Sequence, residues 1–284
     1  MHKLFKIFLS FTAIISFHSL SNENERETVH YAFSNYLGNG IYTTTNQNVT
    51  LINLPFEYDI QEEGKFRYGL RLPLSLGFFD FSYADIPDLD LPDSVGTFTF
   101  TPGIAMAYDH TKRLTFESYI DMGFARNLTT NHNVAVYSAG VSTLYDLNLQ
   151  TYDAVWVSRL YFARYSGMNY DASDSYAAFQ TGVDMGFPVK YEFLGYRYQP
   201  RVFAAAFWYF SEVNFLSDTL NENKVFAMSN PEEATRLRNS IEIGITAKLD
   251  KKIGWEWAGI ETLGIGYRFA NNFNAVRLIF SMPI

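Results

Sequence analysis

The chain has 284 residues, with 22 Lys and Arg against 30 Asp and Glu, for a formal charge of −8. That balance excludes nucleic acid as a partner, since a phosphate-binding face needs clustered basic residues. The lack of any cysteine excludes disulfides, zinc–thiolate centres and thiol catalysis.

Lys3 and Lys6 precede an apolar core, Ile7 to Phe17, and Ser19-Leu20-Ser21 supplies small residues at the positions a signal peptidase inspects. Residues 1–21 read as a cleavable export signal, cut after Ser21, with no lipobox cysteine. In the segment 22–37, Val29, Phe33, Tyr36 and Leu37 recur at helical spacing. Asn22 with Glu25 resembles a capping box, and Gly38 is placed to end a short helix. The alternative is that Tyr31 to Tyr36 already begins the first strand.

Beyond the N-terminus no apolar run is long enough for a membrane-spanning helix. Barrel strands escape that test, because polar lumen residues interleave with lipid-facing ones. From Gly40 the period becomes two, so alternate side chains take opposite faces. Thr50, Ile52, Leu54, Phe56, Tyr58 and Ile60 oppose Asn53, Pro55, Glu57 and Asp59. Phe66, Tyr68, Leu70, Leu72, Leu74, Leu76 and Phe78 oppose Arg67, Gly69, Arg71, Ser75 and Gly77. Phe98, Phe100, Ile104, Met106 and Tyr108 oppose a run of Thr, Gly and Ala. Leu114, Phe116, Ile120, Met122 and Phe124 oppose Thr115, Glu117, Tyr119 and Asp121.

Val134 to Asn148 and Tyr152 to Tyr165 are extended in composition with blurred faces, and Arg201 to Phe210 is apolar on both. Alternation is clear again where Phe179, Val183 and Met185 oppose Gln180, Gly182 and Asp184. Further on, Ile241, Ile243 and Ile245 oppose Ser240, Glu242 and Lys248, and Leu263, Ile265, Tyr267 and Phe269 oppose Gly264, Gly266 and Arg268. The last stretch, Phe273 to Ile284, alternates throughout: Val276, Leu278, Phe280, Met282 and Ile284 against Ala275, Arg277, Ile279, Ser281 and Pro283.

Connections near 60–64, 109–113, 149–152 and 250–254 are short, while those at 80–95, 127–132, 166–175 and 216–235 are longer and polar. Asn271-Asn272 is the one short link on the long-loop side. This near-alternation suits an all-β fold: a transmembrane antiparallel β-barrel of about twelve strands over 38–284, both chain ends on the short-turn side. A soluble sandwich would leave these aromatic faces in water, beyond the ~300–600 Å² patch usual for a monomer.

The chain also resembles a known family, the solitary outer-membrane autotransporter-like β-barrels. The likeness rests on Leu37-Gly38-Asn39-Gly40-Ile41-Tyr42, Leu54-Pro55-Phe56-Glu57-Tyr58 and Leu76-Gly77-Phe78. It extends to Val95-Gly96-Thr97 with Phe100, Pro102 and Gly103, and to Gly264-Ile265-Gly266-Tyr267-Arg268-Phe269. The resemblance implies a translocator-type barrel of twelve strands without a passenger, and a helix entering the lumen before the first strand. It further implies insertion by the outer-membrane barrel assembly machinery, which recognises a terminal aromatic. Here the chain finishes Met282-Pro283-Ile284, and Phe280 is the nearest aromatic.

Inward parity assigns to the lumen Glu57, Arg67, Arg71, Glu117, Asp121, Asp184, Arg238, Glu242, Arg268 and Arg277, together with Asp59 and Lys248. Such charges either line a channel, setting what passes, or form ion pairs that fill a narrow barrel. Catalysis is not expected. The mature chain has His30, His110 and His132. His110 follows Asp109 in a short turn far from any external substrate, and His132 lies beside asparagines with no serine two residues away, as a phospholipase-like site would want. The Asp80–Asp93 loop carries five aspartates without the spacing and turn glycine of a calcium site. No cofactor or metal is expected. The expected surroundings are outer-membrane lipid and lipopolysaccharide, with the protein as a monomer. The open alternatives to a translocator-type role are a diffusion channel and a surface receptor or adhesin working through its external loops.

Overall fold

The computed structural model describes residues 34–44, 48–79, 96–128, 131–149, 151–169, 173–215, 235–254, 259–270 and 273–283. The export signal, residues 22–33, the 80–93 acidic loop, most of the 216–235 loop, Asn271-Asn272 and Ile284 lie outside the described residues.

A four-residue helix, α1 (Ser34–Leu37), precedes fourteen strands: β1 (Gly40–Thr44), β2 (Asn48–Glu63), β3 (Phe66–Phe79), β4 (Thr97–Phe100), β5 (Gly103–Asp109), β6 (Leu114–Asn127), β7 (Asn133–Leu149), β8 (Tyr152–Gly167), β9 (Ser173–Gly186), β10 (Tyr191–Phe193), β11 (Tyr196–Phe215), β12 (Thr235–Ile253), β13 (Ile260–Ala270) and β14 (Phe273–Ile279). Each described pairing is antiparallel and joins strands one or two places apart in the chain, except that β14 returns to pair with β1, Ile41 opposite Val276. The sheet therefore closes on itself. β4 and β5 share one wall position between β3 and β6. β10 pairs only with the start of β11, which takes its own wall place beside β9. Fourteen strands thus occupy twelve wall positions, the number expected from the alternation.

Period-two patterning decides which face is which. Ile104, Ile120, Met122, Ile241, Ile243, Ile245, Ile265 and Leu278 are exposed on the outside. The residues between them turn inward, where Thr97, Thr99, Asp121, Asp184, Glu242 and Arg268 are buried. The two blurred strands now have defined faces. Tyr137, Val141 and Tyr145 of β7 and Trp156 and Leu160 of β8 point out, whereas Val134, Val136, Val157, Tyr161, Ala163 and Tyr165 are buried inside. β11 resolves likewise, with Trp208 and Phe210 outside and Phe203, Phe207 and Tyr209 within. The faces looked alike in sequence because this part of the lumen is filled with apolar side chains.

The structure corrects two expectations. The closing strand does not run to Ile284; β14 ends at Ile279, and Phe280 to Met282 continue as bends and coil. At that point β1 has already ended as a neighbour, and Pro283 has no amide to donate. The strand expected across Phe98 to Tyr108 is interrupted at Thr101-Pro102, where Pro102 and the facing Pro73 have no amide to donate. The register is kept across the gap, and Thr101 N still donates to the Pro73 carbonyl opposite it. Within the expected 22–37 helix, the described helical turn is Ser34–Leu37.

Candidate functional site in the barrel lumen

α1 sits inside the barrel. The Asn35 side-chain amide donates to Thr101 Oγ1 at 2.8 Å, and the Asn53 amide of β2 donates to the Asn35 carbonyl at 2.9 Å. Tyr36 reaches across to β7, where its hydroxyl donates to Ser138 Oγ, and Ser138 in turn donates to Asp121 Oδ2. The segment therefore bridges β2 to a strand four wall positions away. Gly38 makes the exit possible: its φ of +86° suits glycine, and a Cβ there would lie 2.4 Å from the Arg277 guanidinium.

The lumen has two halves. Towards the long-loop end, Tyr161 and Tyr176 share a hydroxyl hydrogen bond of 3.0 Å, and the rings of Tyr176 and Tyr209 lie 5.7 Å apart. Phe203 fits against the Gly244–Gly266 cross-strand pair, where a Cβ would approach its ring to 2.5 and 3.0 Å. Towards the short-turn end lies a cavity of about 510 Å³, lined by Glu57, Asp59, Arg67, Arg71, Glu117, Arg159, Arg268 and Arg277.

Each sequence-assigned charge has a defined place. Arg71 lies 3.5 Å from Asp121 and stacks over the Tyr119 ring at 3.8 Å. Glu242 is fully buried and pairs with Arg277 at 2.5 Å. Arg268, also fully buried, donates to Ser240 and stacks over Phe207 at 3.6 Å. Asp184 holds Arg201 Nε at 2.6 Å, and Asp153 holds its Nη1 at 2.6 Å. Arg67 pairs with Asp109 at the short-turn rim. Glu57 and Glu117 lie on the cavity wall. Arg238 shares the parity of Ser240 and Glu242 but is exposed, beside the register shift between Trp208 and Val213.

Sequence reasoning missed Arg201, Arg159 and Asn35. Arg201 had a usable signal in its parity with the alternating Phe203, Ala205 and Phe207, but the equally apolar opposite face hid it. Chemically, the lumen combines paired charges with an aromatic layer. Among the described residues no group of three His, Asp or Glu is placed to hold a metal ion.

No protein-family model and no curated protein matches the chain. Among solved structures, the chain is similar to the β domain of the Bordetella autotransporter BrkA, at 12% identity and a TM-score of 0.47, over 85% of this chain and 96% of that one. It is also similar to Pseudomonas aeruginosa OccK5 (OpdH), at 11% identity and a TM-score of 0.20, over 84% of this chain and 94% of that one. By its own geometry the chain is an antiparallel β-barrel of twelve wall positions with an apolar outside and a charged, partly filled lumen.

Proposed function

We propose that this chain is an outer-membrane barrel of translocator type whose lumen is closed at rest by its own α1 segment. The observation that carries this reading is the inversion of polarity across the wall: large apolar side chains are exposed outside while ion pairs such as Glu242–Arg277 are buried inside. Water would not favour that arrangement, and a lipid bilayer does. Closure is supported by the Asn35 and Tyr36 hydrogen bonds that span the lumen, and by the aromatic layer beyond them.

The test is conductance in planar lipid bilayers. The unaltered protein should insert and pass little current, and an Asn35→Ala/Tyr36→Ala variant should show larger, longer openings. A large steady conductance in the unaltered protein would make it an open diffusion channel. Failure to insert at all would remove the membrane reading.

A further inference from the structure

The wall is incomplete on one side of the cavity. β1 pairs with β2 only from Asn48 to Leu51, and with β14 only from Phe273 to Val276. Below that, no described strand lies against the β1-side edge of β2 from Ile52 to Glu63, and β14 stops at Ile279. On this side the cavity is lined by Asn53, Glu57 and Asp59 of β2, by Arg277, Leu278 and Ile279 of β14, and by the residues that follow β14, Phe280 to Pro283.

Only part of this edge is already satisfied. The Asn53 backbone amide points away from β3 and is met by Asn39 Oδ1. Two residues on, the amide that would point the same way belongs to Pro55 and does not exist. The next amides on this edge are those of Glu57 and Asp59, before the register shift between Asp59 and Gln61. Tyr58 and Ile60, on the outward face between and beyond them, are more than half exposed.

We infer that the Asn53–Asp59 edge of β2 is a docking site for an extended polypeptide segment of a partner, in which basic residues alternate with apolar ones. In strand addition the backbone supplies affinity, and alternate side chains supply specificity. Basic side chains on the inner face would meet Asp59 and Glu57, neither of which makes an ion pair within 4 Å among the described residues. Glu57 stands opposite Arg71 across the β2–β3 pair, so Asp59 is the carboxylate that would select the basic residue. Apolar ones would continue the outer surface beside Tyr58 and Leu278. A second copy pairing β2 to β2 would set Glu57 and Asp59 against their own kind, which destabilises. Residues 22–27 of this chain bring Glu23, Glu25 and Glu27, also of the wrong sign. An acyl chain cannot satisfy the open backbone groups. The membrane reading above explains why the edge must be covered, but docking itself does not depend on it.

Because the protein has no cysteine, the test is direct. A Glu57→Cys variant in detergent micelles is offered nine-residue synthetic peptides that alternate Lys with Val. At the central Lys position they carry one Cys as its mixed disulfide with thionitrobenzoate, which leaves as the protein thiol attacks. The control peptides have Glu for Lys. Disulfide yield should favour the Lys peptide by about fivefold or more, and adding Asp59→Lys should reverse the preference. Should Glu57→Cys not fold, as judged by heat-modifiable mobility, Asp59→Cys gives the same readout with Glu57 as the discriminating charge. Equal yields for the two peptides, a predominant disulfide-linked dimer of the protein, or reaction only after deletion of residues 22–33 overturns the proposal. Bilayer insertion is scored separately, so failure of docking and failure of the membrane reading are told apart.

Discussion

Tyr36 and Ser138 are 102 residues apart in the chain, and their hydroxyls meet inside the lumen. Ser138 also reaches Asp121, which Arg71 approaches at 3.5 Å, so the lumen segment is tied to a charged network on three strands. Tyr36→Phe should lower stability in detergent by about 1 kcal/mol, the usual net worth of one hydrogen bond. Ser138→Ala should cost more, because it also removes a donor to Asp121. The double variant should lose less than the sum, read from thermal unfolding midpoints.

Arg201 is buried between Asp184 and Asp153. Arg201→Met leaves Asp184 charged, buried and unpaired, which should destabilise the barrel by roughly 3–5 kcal/mol. Adding Asp184→Asn should restore most of that loss. Denaturant midpoints of the two variants check both halves, and an Arg201→Met variant as stable as the parent removes the structural role assigned to this cluster.

Ile243 is about half exposed on the outer face, next to the fully buried Glu242. In a bilayer, Ile243→Arg should reduce folding into lipid vesicles by roughly 2–4 kcal/mol at mid-depth. In a water-surrounded sheet the same change would be nearly neutral. Folding yield into vesicles, compared with yield in detergent, separates these cases.

The Gly244–Gly266 pair holds the Phe203 ring. Gly266→Val should cost about 1–3 kcal/mol by overpacking, and Phe203→Ala in the same chain should recover part of it. If the double variant is no better than Gly266→Val alone, the ring is not what the glycines accommodate.

The wall of the barrel was legible in the sequence because outward and inward residues differ in kind on most strands. Ile241, Ile243 and Ile245 against Ser240 and Glu242 admit one orientation. It was illegible where the lumen is aromatic, as in Phe203, Phe207 and Tyr209 facing inward opposite Val202, Trp208 and Phe210. The inward parity of Asp121, Glu242 and Arg268 could be read, but not who pairs with whom, since partners such as Glu242 and Arg277 lie on strands separated by β13. The contribution of Asn35 and Tyr36 had no local signature, because its meaning depends on groups that come near only after closure. The end of β14 differs from the alternation as well: the pattern persists through Met282, but β14 passes its last β1 partner at Val276, its pairing with β13 stops at Ile279, and Pro283 has no amide to continue the ladder.

Ile41 stands opposite Val276, so the contact that shuts the ring joins positions 276 − 41 = 235 residues apart. Every other described pairing around the wall joins strands one or two places apart in the chain and can form as each becomes available. Closing so long a loop is entropically slow, and until it happens β1 and β14 both present bare edges. Until the last strand is available, the topology therefore admits an open sheet and not a barrel.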